Sequence, residues 1–188
     1  MSVIIWCHGG CFGGGNSSYD KKIRQFLTNQ GYTVISSEFR KDKEYAIQDI
    51  ISDCKVNDNF ILAGISSGGL LAHIVANTLK VPAMLICPVF KPHDRHEKLG
   101  KKLQKLQLDF FKTKKEMKEF QDKIEPPNRK RYCIFGVSDT RAPVDAISDW
   151  ECKDIKMVKS SHPDLCKNPP LDFVLQCVKK LFEEYDSI

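Results

Sequence analysis

The sequence lacks the features that define several large classes of protein. None of its apolar runs is long enough to cross a bilayer, which predicts no stable membrane insertion. The first residues contain neither a basic start nor an apolar stretch before a small-residue cleavage site, and this favours a cytoplasmic location. The 29 basic and 24 acidic residues leave a net charge of only +5, and the basic residues are not interleaved with aromatic ones. We therefore expect no nucleic-acid partner.

Metal-binding and cofactor-binding patterns are also missing. The eight cysteines form no C-x-x-C pair and are scattered along the chain at Cys7, Cys11, Cys54, Cys87, Cys133, Cys152, Cys166 and Cys177. This scatter argues against a zinc site or a disulfide framework and favours reduced thiols that pack as small hydrophobic groups. The run from His93 to Glu97 has no further ligands at helical spacing, so we interpret it as a solvated helix start. We expect neither a metal nor a cofactor.

Short apolar runs alternate with segments of helical periodicity. The runs predict six strands, at Val3–Cys7, Tyr32–Ser36, Phe60–Ala63, Ala83–Cys87, Arg131–Gly136 and Ile155–Val158. Helices are predicted at 17–29, 45–54, 68–79, 144–149 and 171–185. This alternation predicts an α/β fold, in which a mostly parallel sheet of about six strands is flanked by helices in a single domain, 1–188. The Lys- and Glu-rich segment 88–130 predicts two amphipathic helices that form a cap-like insertion.

Residues 64–68, Gly-Ile-Ser-Ser-Gly, follow the third predicted strand and precede a helix. A tight strand-to-helix turn would hold Ser66 in a strained backbone conformation with its hydroxyl raised, and the G-x-S-x-G pattern is typical of such a nucleophilic serine. Side chains two positions to either side would collide, which requires residues such as Gly64 and Gly68. The alternative is a glycine-rich turn at the sheet edge, as in nucleotide-binding folds.

A glycine-rich segment, 8–15, follows the first predicted strand. Backbone N–H groups that already point at the developing oxyanion stabilise the tetrahedral intermediate of acyl transfer. We predict that Ser67, Gly10 and Cys11 supply these donors, and that His8 organises the loop. A phosphate-binding loop is the alternative, but the segment has neither a G-x-G-x-x-G pattern at a helix start nor a following Lys-Ser/Thr pair.

A nucleophilic serine needs a base, and the base needs an acid that orients it, in the chain order serine, acid, histidine. Asp139 follows the fifth predicted strand and His162 follows the sixth, so these residues are the predicted acid and base. The less favoured candidates are Asp145 and Asp149 on the following helix, Asp164 as a loop cap, His73 within a helix, and His93 and His96 in the charged segment.

Together these motifs resemble those of α/β-hydrolases of the carboxylesterase type. The His-Gly-Gly loop, the Gly-Ile-Ser-Ser-Gly-Gly turn, Asp139 and His162 are similar to those of hormone-sensitive-lipase-like esterases and arylformamidases. Residues 38–40, Glu-Phe-Arg, resemble the Tyr-Arg element of those proteins, and the likeness spans nearly the whole chain. The resemblance implies a minimal α/β-hydrolase fold in which segment 88–130 covers the substrate.

The sequence departs from the family pattern at several positions. Cys11 stands where the family loop commonly has its last glycine, and Ile65 and Ser67 flank the serine where Asp and Ala are common. Pro163 and Asp164 follow the histidine in place of a Gly-Phe or similar pair. The sequence starts directly at the strand before the His-Gly-Gly loop, so we expect the N-terminal strands and cap helices of larger members to be absent.

The expected activity is hydrolysis of a small carboxylic ester through an acyl-enzyme on Ser66, with a small acyl compound as partner. Arylformamides and acyl thioesters are alternative substrates. A second hypothesis is a hydrolase-fold binding protein without turnover, which Cys11 and Pro163 favour. A third is a membrane-surface lipase with Phe110 and Phe111 on an interfacial helix, although core packing explains these residues more simply. The oligomeric state is not predicted.

Overall fold

The computed structural model describes residues 2–9, 18–36, 43–148, 150 and 153–185, and these form six strands in one sheet. The strands are β1 (Val3–Cys7), β2 (Thr33–Ser36), β3 (Phe60–Ile65), β4 (Ala83–Ile86), β5 (Arg131–Gly136) and β6 (Lys153–Val158). Their order across the sheet is β2-β1-β3-β4-β5-β6, and every neighbouring pair is parallel.

Helices pack on both faces of this sheet. They are α1 (Ser18–Asn29), α2 (Lys43–Lys55), α3 (Ser67–Leu79), α4 (Pro92–His96), α5 (Lys101–Phe111), α6 (Lys114–Asp122), α7 (His162–Lys167) and α8 (Leu171–Tyr185), with a short 3₁₀ helix at Val144–Ile147. The predicted fold class, a parallel sheet of six strands flanked by helices, is confirmed.

The strand side chains divide between two cores because successive residues of a strand point to opposite faces. In β1, Ile5 belongs to the core beneath α2, α3 and α5, whereas Ile4 and Trp6 belong to the core beneath α1 and α8. All three are fully buried. Burial on both faces explains why β1, β3 and β4 appear in the sequence as continuous apolar runs rather than as alternating patterns.

The strand order reverses beside β1. The chain passes from β1 to its neighbour β2 and then crosses back to β3, which pairs with the other side of β1 and places Cys7 opposite Gly64. In open parallel sheets, connections that diverge at such a reversal leave a crevice at the carboxyl ends of the strands. The residues directly after β1 and β3 therefore border the same crevice.

Segment 88–130 forms three helices instead of the predicted two. The short α4 precedes the amphipathic pair α5 and α6. Phe110 and Phe111 are only 1% and 0% exposed and pack in the core with residues of α2 and α3, so they do not form an interfacial surface. Among the helices that the structure describes, none is both long enough and apolar enough to span a bilayer.

Two further predictions needed correction. Helix α7 was missed, since no helix was predicted between the sixth strand and the helix at 171–185. Ser161 caps α7 by accepting the N–H of Asp164, and Pro163 lies in the first turn, where its missing N–H costs no hydrogen bond. The helix predicted at 144–149 is a 3₁₀ helix that ends at Ile147.

The connection from β3 to α3 leaves no room for side chains at two glycines. A methyl group on Gly64 would lie 2.5 Å from the carbonyl oxygen of Gly68, and a methyl group on Gly68 would lie 2.2 Å from the carbonyl oxygen of Cys7. Both separations are far shorter than van der Waals contact. The predicted need for glycine at these two positions is confirmed, and it lets α3 begin against the end of β1.

We expect Gly68→Ala to destabilise the fold, because its methyl group would push α3 away from the end of β1. The expected loss in the free energy of unfolding is about 1–3 kcal/mol, as for other overpacked sites. Urea denaturation followed by circular dichroism measures this loss.

Gly100→Ala is the matched control, because no atom lies within 4 Å of the methyl group that it would add before α5. It should cost less than about 1 kcal/mol, the usual range for a change of helix cap. Equal losses for the two variants would contradict this account of the turn.

Candidate active site

Ser66 lies between β3 and α3 in a backbone conformation that L-residues rarely adopt. Its φ is 56° and its ψ is −123°, and such a conformation costs about 1–3 kcal/mol unless the surrounding structure holds it. The N–H of Ser66 donates to the carbonyl oxygen of Ile86 at 2.8 Å, and its own carbonyl accepts the N–H of Val89 at 3.2 Å. The strained turn expected at residue 66 is present, and the residue is half-buried.

Ser66, His162 and Asp139 form a continuous chain of hydrogen bonds. The hydroxyl oxygen of Ser66 lies 2.9 Å from Nε2 of His162, and Nδ1 of His162 lies 2.8 Å from Oδ2 of Asp139. Ser66 and His162 are 96 residues apart in sequence. The parallel sheet brings them together because Ser66 follows β3, Asp139 follows β5 and His162 follows β6. The three side chains meet at the carboxyl edge of the sheet.

The hydrogen bonds of Asp139 determine which nitrogen of His162 carries the proton. Oδ1 of Asp139 accepts the backbone N–H groups of Arg141 and Ala142, each at 2.9 Å, so Oδ2 is left to accept from the imidazole. Nδ1 of His162 is then the donor. In a neutral imidazole Nε2 consequently has a free lone pair, which accepts the hydroxyl proton of Ser66.

Contacts between the loops after β5 and β6 place Asp139 beside His162. The carbonyl oxygen of Ser160 accepts both the N–H of Ser138, at 3.3 Å, and its hydroxyl, at 3.0 Å. A methyl group on Gly136 would lie 2.4 Å from the same carbonyl oxygen. The glycine thus allows the two loops to approach closely enough for the carboxylate to reach the imidazole.

The predicted oxyanion donors lie only partly within the described residues. Gly10 and Cys11 lie outside them. Ser67 is the first residue of α3 and is buried. A methyl group on Gly9 would lie 3.7 Å from Cβ of Ser66, so the chain directly after β1 passes beside the serine.

The less favoured acids do not take part in this chain of hydrogen bonds. Asp145 is exposed on the 3₁₀ helix, and Asp164 belongs to the cap of α7. Asp149 lies outside the described residues, as does the 38–40 element.

The other candidate histidines have local roles. Nδ1 of His8 lies 3.1 Å from the carbonyl oxygen of Gly9, in keeping with a loop-organising residue. His96 is buried, with Nδ1 2.8 Å from the side-chain oxygen of Gln107. The interpretation of 93–97 as a solvated helix start was therefore wrong for His96.

His73 lies within α3, as predicted, and is fully buried. Its ring stacks on that of Trp150 with centroids 4.5 Å apart, and burial together with the charge of Arg131 lowers the pKa of His73 to about 3. A cavity of about 240 Å³ lies beside it, lined in part by Asn77. Asn77 bonds to Arg131, the first residue of β5, so this cavity lies at the amino end of that strand, away from Ser66.

A pair of cysteines beside the site was missed. The sulfur atoms of Cys87 and Cys166 lie 3.5 Å apart although 79 residues separate them. One ligand atom from each of Cys87, Cys166 and His162 lies within 4.8 Å of the other two. The expectation of scattered cysteines was wrong for this pair. Their positions in the sequence could have indicated that they lie near the site, since Cys87 directly follows β4 and Cys166 lies one helical turn after His162.

The remaining described cysteines agree with the prediction of small, buried, reduced residues. They are Cys7, Cys54, Cys133 and Cys177. Burial raises the pKa of Cys54 and of Cys177 to about 12, which favours the neutral thiol.

The electrostatics around His162 favour its charged form. Burial lowers its pKa, but the hydrogen bonds and negative charges of Asp139 and Cys166 outweigh burial and raise the pKa of His162 to about 9. The hydrogen bond with Cys87 lowers the pKa of Cys166 against the opposing effect of burial, and His162 lowers it further. Burial raises the pKa of Cys87. The imidazole therefore has an acidic partner on each of two elements, Asp139 after β5 and Cys166 in α7.

No protein-family model and no curated protein matches the sequence. Solved structures do match the fold. Mouse alpha/beta hydrolase domain-containing protein 10 superposes with a TM-score of 0.72 at 14% identity, over 97% of this chain and 90% of that chain. The monoacylglycerol lipase of Paleococcus ferrophilus gives 0.69 at 15% identity, over 96% of this chain and 94% of that chain.

A third match is Est1E from Butyrivibrio proteoclasticus, whose structure was solved with ferulic acid bound. It gives a TM-score of 0.66 at 11% identity, over 100% of this chain and 90% of that chain. At these identities the likeness shows a shared fold.

We expect His162 to titrate well above the ordinary histidine pKa of about 6.5. Cys166→Ala removes one of the two partners that stabilise the imidazolium, so the pKa of His162 should fall in this variant. The pH dependence of the imidazole resonances, measured by NMR, gives both values.

Cys54→Ala is the matched control, because Cys54 is a buried cysteine in the core on the opposite face of the sheet. It should leave the titration of His162 unchanged. A His162 pKa near 6.5 in the wild type, or the same value with and without Cys166, would contradict the electrostatic account.

Proposed function

The chain has the α/β-hydrolase fold, and from this premise we propose that it is a serine hydrolase that cleaves a small carboxylic ester. The observation that carries the proposal is the hydrogen-bonded chain from Ser66 through His162 to Asp139, at the end of a strained turn. Glycine-rich turns of nucleotide-binding folds have no need of such a chain. Ester hydrolysis does, because a serine hydroxyl is a weak nucleophile until a base takes its proton.

In the first half of the proposed reaction, Oγ of Ser66 attacks the ester carbonyl while Nε2 of His162 takes the hydroxyl proton. The carbonyl π bond breaks and its electrons move to oxygen, which gives a tetrahedral oxyanion. Collapse of this intermediate expels the alcohol, which receives the proton from His162, and leaves the acyl group on Ser66. Asp139 holds the imidazole in the required tautomer and stabilises the positive charge that it carries between the two proton transfers.

In the second half, His162 takes a proton from water, and the resulting hydroxide equivalent attacks the acyl-enzyme. A second tetrahedral intermediate collapses to release the carboxylic acid and returns the proton to Ser66. The sum is ester plus water giving acid plus alcohol, and the residues end as they began. This sequence needs no cofactor.

We assign the stabilisation of both oxyanions to the N–H of Ser67, with Gly10 and Cys11 as further donors. The position of Ser67 at the start of α3 supports its part, because N–H groups in the first turn of a helix have no intrahelical acceptor. The approach of Gly9 to Ser66 supports the part of the next two residues. One preorganised donor is worth about 10²–10³ in kcat.

We propose a small acyl compound as the partner of this protein. We also propose that the protein is cytoplasmic. The free thiols of Cys54, Cys87, Cys166 and Cys177 support a reducing compartment. Segment 88–130 is proposed to contribute to covering the substrate, because it lies directly after β4, the strand beside that of Ser66.

We expect a fluorophosphonate probe to label the wild-type chain on Ser66, because the probe reacts with serines that a base activates. Ser66→Ala should not be labelled, and its hydrolysis of a short-chain chromogenic ester should fall by about 10⁴-fold or more. Ser52→Ala is the control. Its hydroxyl donates to the carbonyl of Gln48 on the exposed face of α2, and labelling should match the wild type. A folded wild-type chain that takes no label would favour the binding-protein hypothesis.

We expect Asp139→Asn to lower kcat by about 10⁴-fold, because an amide beside Nδ1 favours the tautomer in which Nε2 carries the proton. Asp145→Asn changes an exposed carboxylate of the 3₁₀ helix in the same way and should leave kcat unaltered. Steady-state kinetics with the same ester measures both. A large loss in Asp145→Asn with none in Asp139→Asn would reassign the acid.

A further inference from the structure

Two cysteines beside His162 are not reactants in the proposed hydrolysis. Cys87 is fully buried at the end of β4, and Cys166 is half-buried in α7. Their sulfur atoms are 3.5 Å apart, and a nitrogen of His162 lies within 4.8 Å of both. The cluster therefore combines one thiol from the end of β4 with one thiol and one imidazole from α7.

We propose that Cys87, Cys166 and His162 form a binding site for a thiophilic divalent cation, with Zn²⁺ as the reference ion. We also propose that the bound cation stops hydrolysis, because it occupies the nitrogen that Ser66 needs. The second statement rests on the proposed function, whereas the first does not.

The ligand types and their spacing fit a tetrahedral thiophilic ion. Zinc binds thiolate sulfur at about 2.3 Å and histidine nitrogen at about 2.0 Å, so two sulfurs of a tetrahedral site are about 3.8 Å apart. The observed 3.5 Å is close to that separation. A disulfide would need the sulfurs to approach to about 2.05 Å. The arrangement is thus nearer to a cation site than to a disulfide.

The charges of the cluster also suit a divalent cation. On binding, each thiol releases its proton to solvent, and the two thiolates balance the 2+ charge while the imidazole stays neutral. The carboxylate of Asp139 accepts from Nδ1 of His162 at 2.8 Å. Metal-bound histidines commonly have a carboxylate in this position, where it fixes the ring and increases the basicity of the other nitrogen.

Hydrolysis and cation binding then compete for one lone pair. Because Nδ1 donates to Asp139, Nε2 is the nitrogen available to a cation, and Nε2 is also the acceptor of the Ser66 hydroxyl at 2.9 Å. A metal ion on Nε2 removes the base from Ser66. The described part of the chain supplies three ligands, which leaves a fourth coordination position for water.

Direct binding is tested with Co²⁺ on the full chain, reduced with a phosphine and freed of chelator. Cobalt bound by thiolates gives charge-transfer absorption in the near ultraviolet and tetrahedral ligand-field bands in the visible. We expect both in the wild type at one equivalent, and Zn²⁺ should displace them. Ser66→Ala keeps all three ligands and should give the same spectra. Cys166→Ala should weaken binding by at least about 10-fold, as loss of a supporting residue alone does at metal sites.

Cys54→Ala is the matched control, because it removes a buried thiol on the opposite face of the sheet and should bind Co²⁺ as the wild type does. Circular dichroism of each variant checks that it is folded. Absence of thiolate charge transfer in the reduced wild type would overturn the site. Identical spectra from Cys166→Ala and the wild type would also overturn the site.

Inhibition is measured separately with Zn²⁺, by fluorophosphonate labelling and ester hydrolysis. Zn²⁺ should suppress both in the wild type, a chelator should restore them, and Cys166→Ala should be at least about 10-fold less sensitive. If the chain binds cobalt but takes no fluorophosphonate label, the proposed cation site stands and the proposed hydrolase activity is contradicted. An active chain that binds Co²⁺ through Cys166 but is not inhibited by Zn²⁺ would overturn the competition for Nε2.

Discussion

The geometry of the site depends on the backbone turn at Ser66, where β3 passes directly into α3. Its positive φ is unfavourable for serine, and the turn persists because hydrogen bonds hold it on both sides, from Ser66 to Ile86 and from Val89 to Ser66. Both partners belong to β4 or the segment after it, so the turn is fixed to the neighbouring strand. The glycine two residues after the serine lets α3 lie against the carbonyl oxygens of Cys7 and the residue that follows it. Contacts with β1 and β4, as well as the end of β3 itself, therefore hold the strained conformation of Ser66.

A second constraint is the complete hydrogen bonding of the buried Asp139 carboxylate. One of its oxygens accepts two backbone N–H groups and the other accepts Nδ1 of His162. A carboxylate held in this way cannot rotate without leaving buried donors unpaired, which is costly. In the imidazole of His162, Nδ1 is consequently occupied by its hydrogen bond to Asp139, whereas Nε2 is available. All the chemistry that we propose, both acyl transfer and cation binding, uses the available one.

The sequence was sufficient for the sheet and for the three side chains of the hydrogen-bonded chain, because each of those side chains follows a strand that the sequence predicts. Position relative to strands carries this information, since the carboxyl ends of parallel strands share one edge. It was insufficient for α7, a helix of six residues that was not predicted, although Pro163 stands in its first turn, where proline is favoured. It was insufficient for Cys87 and Cys166 as well. Their proximity depends on which face α7 presents to the end of β4, and no local pattern records that.

The cysteine pair has the spacing and the neighbouring imidazole that the proposed cation site requires. Small apolar residues would fill the same space without bringing two sulfurs to 3.5 Å beside the proposed base. Among the described residues, the one group of three side chains that could hold a metal ion consists of this pair and His162. Because a cation and the Ser66 hydroxyl need the same nitrogen of His162, the two states exclude each other. Under reducing conditions both thiols are available, so the proposed hydrolysis would fall as the free concentration of the cation rises.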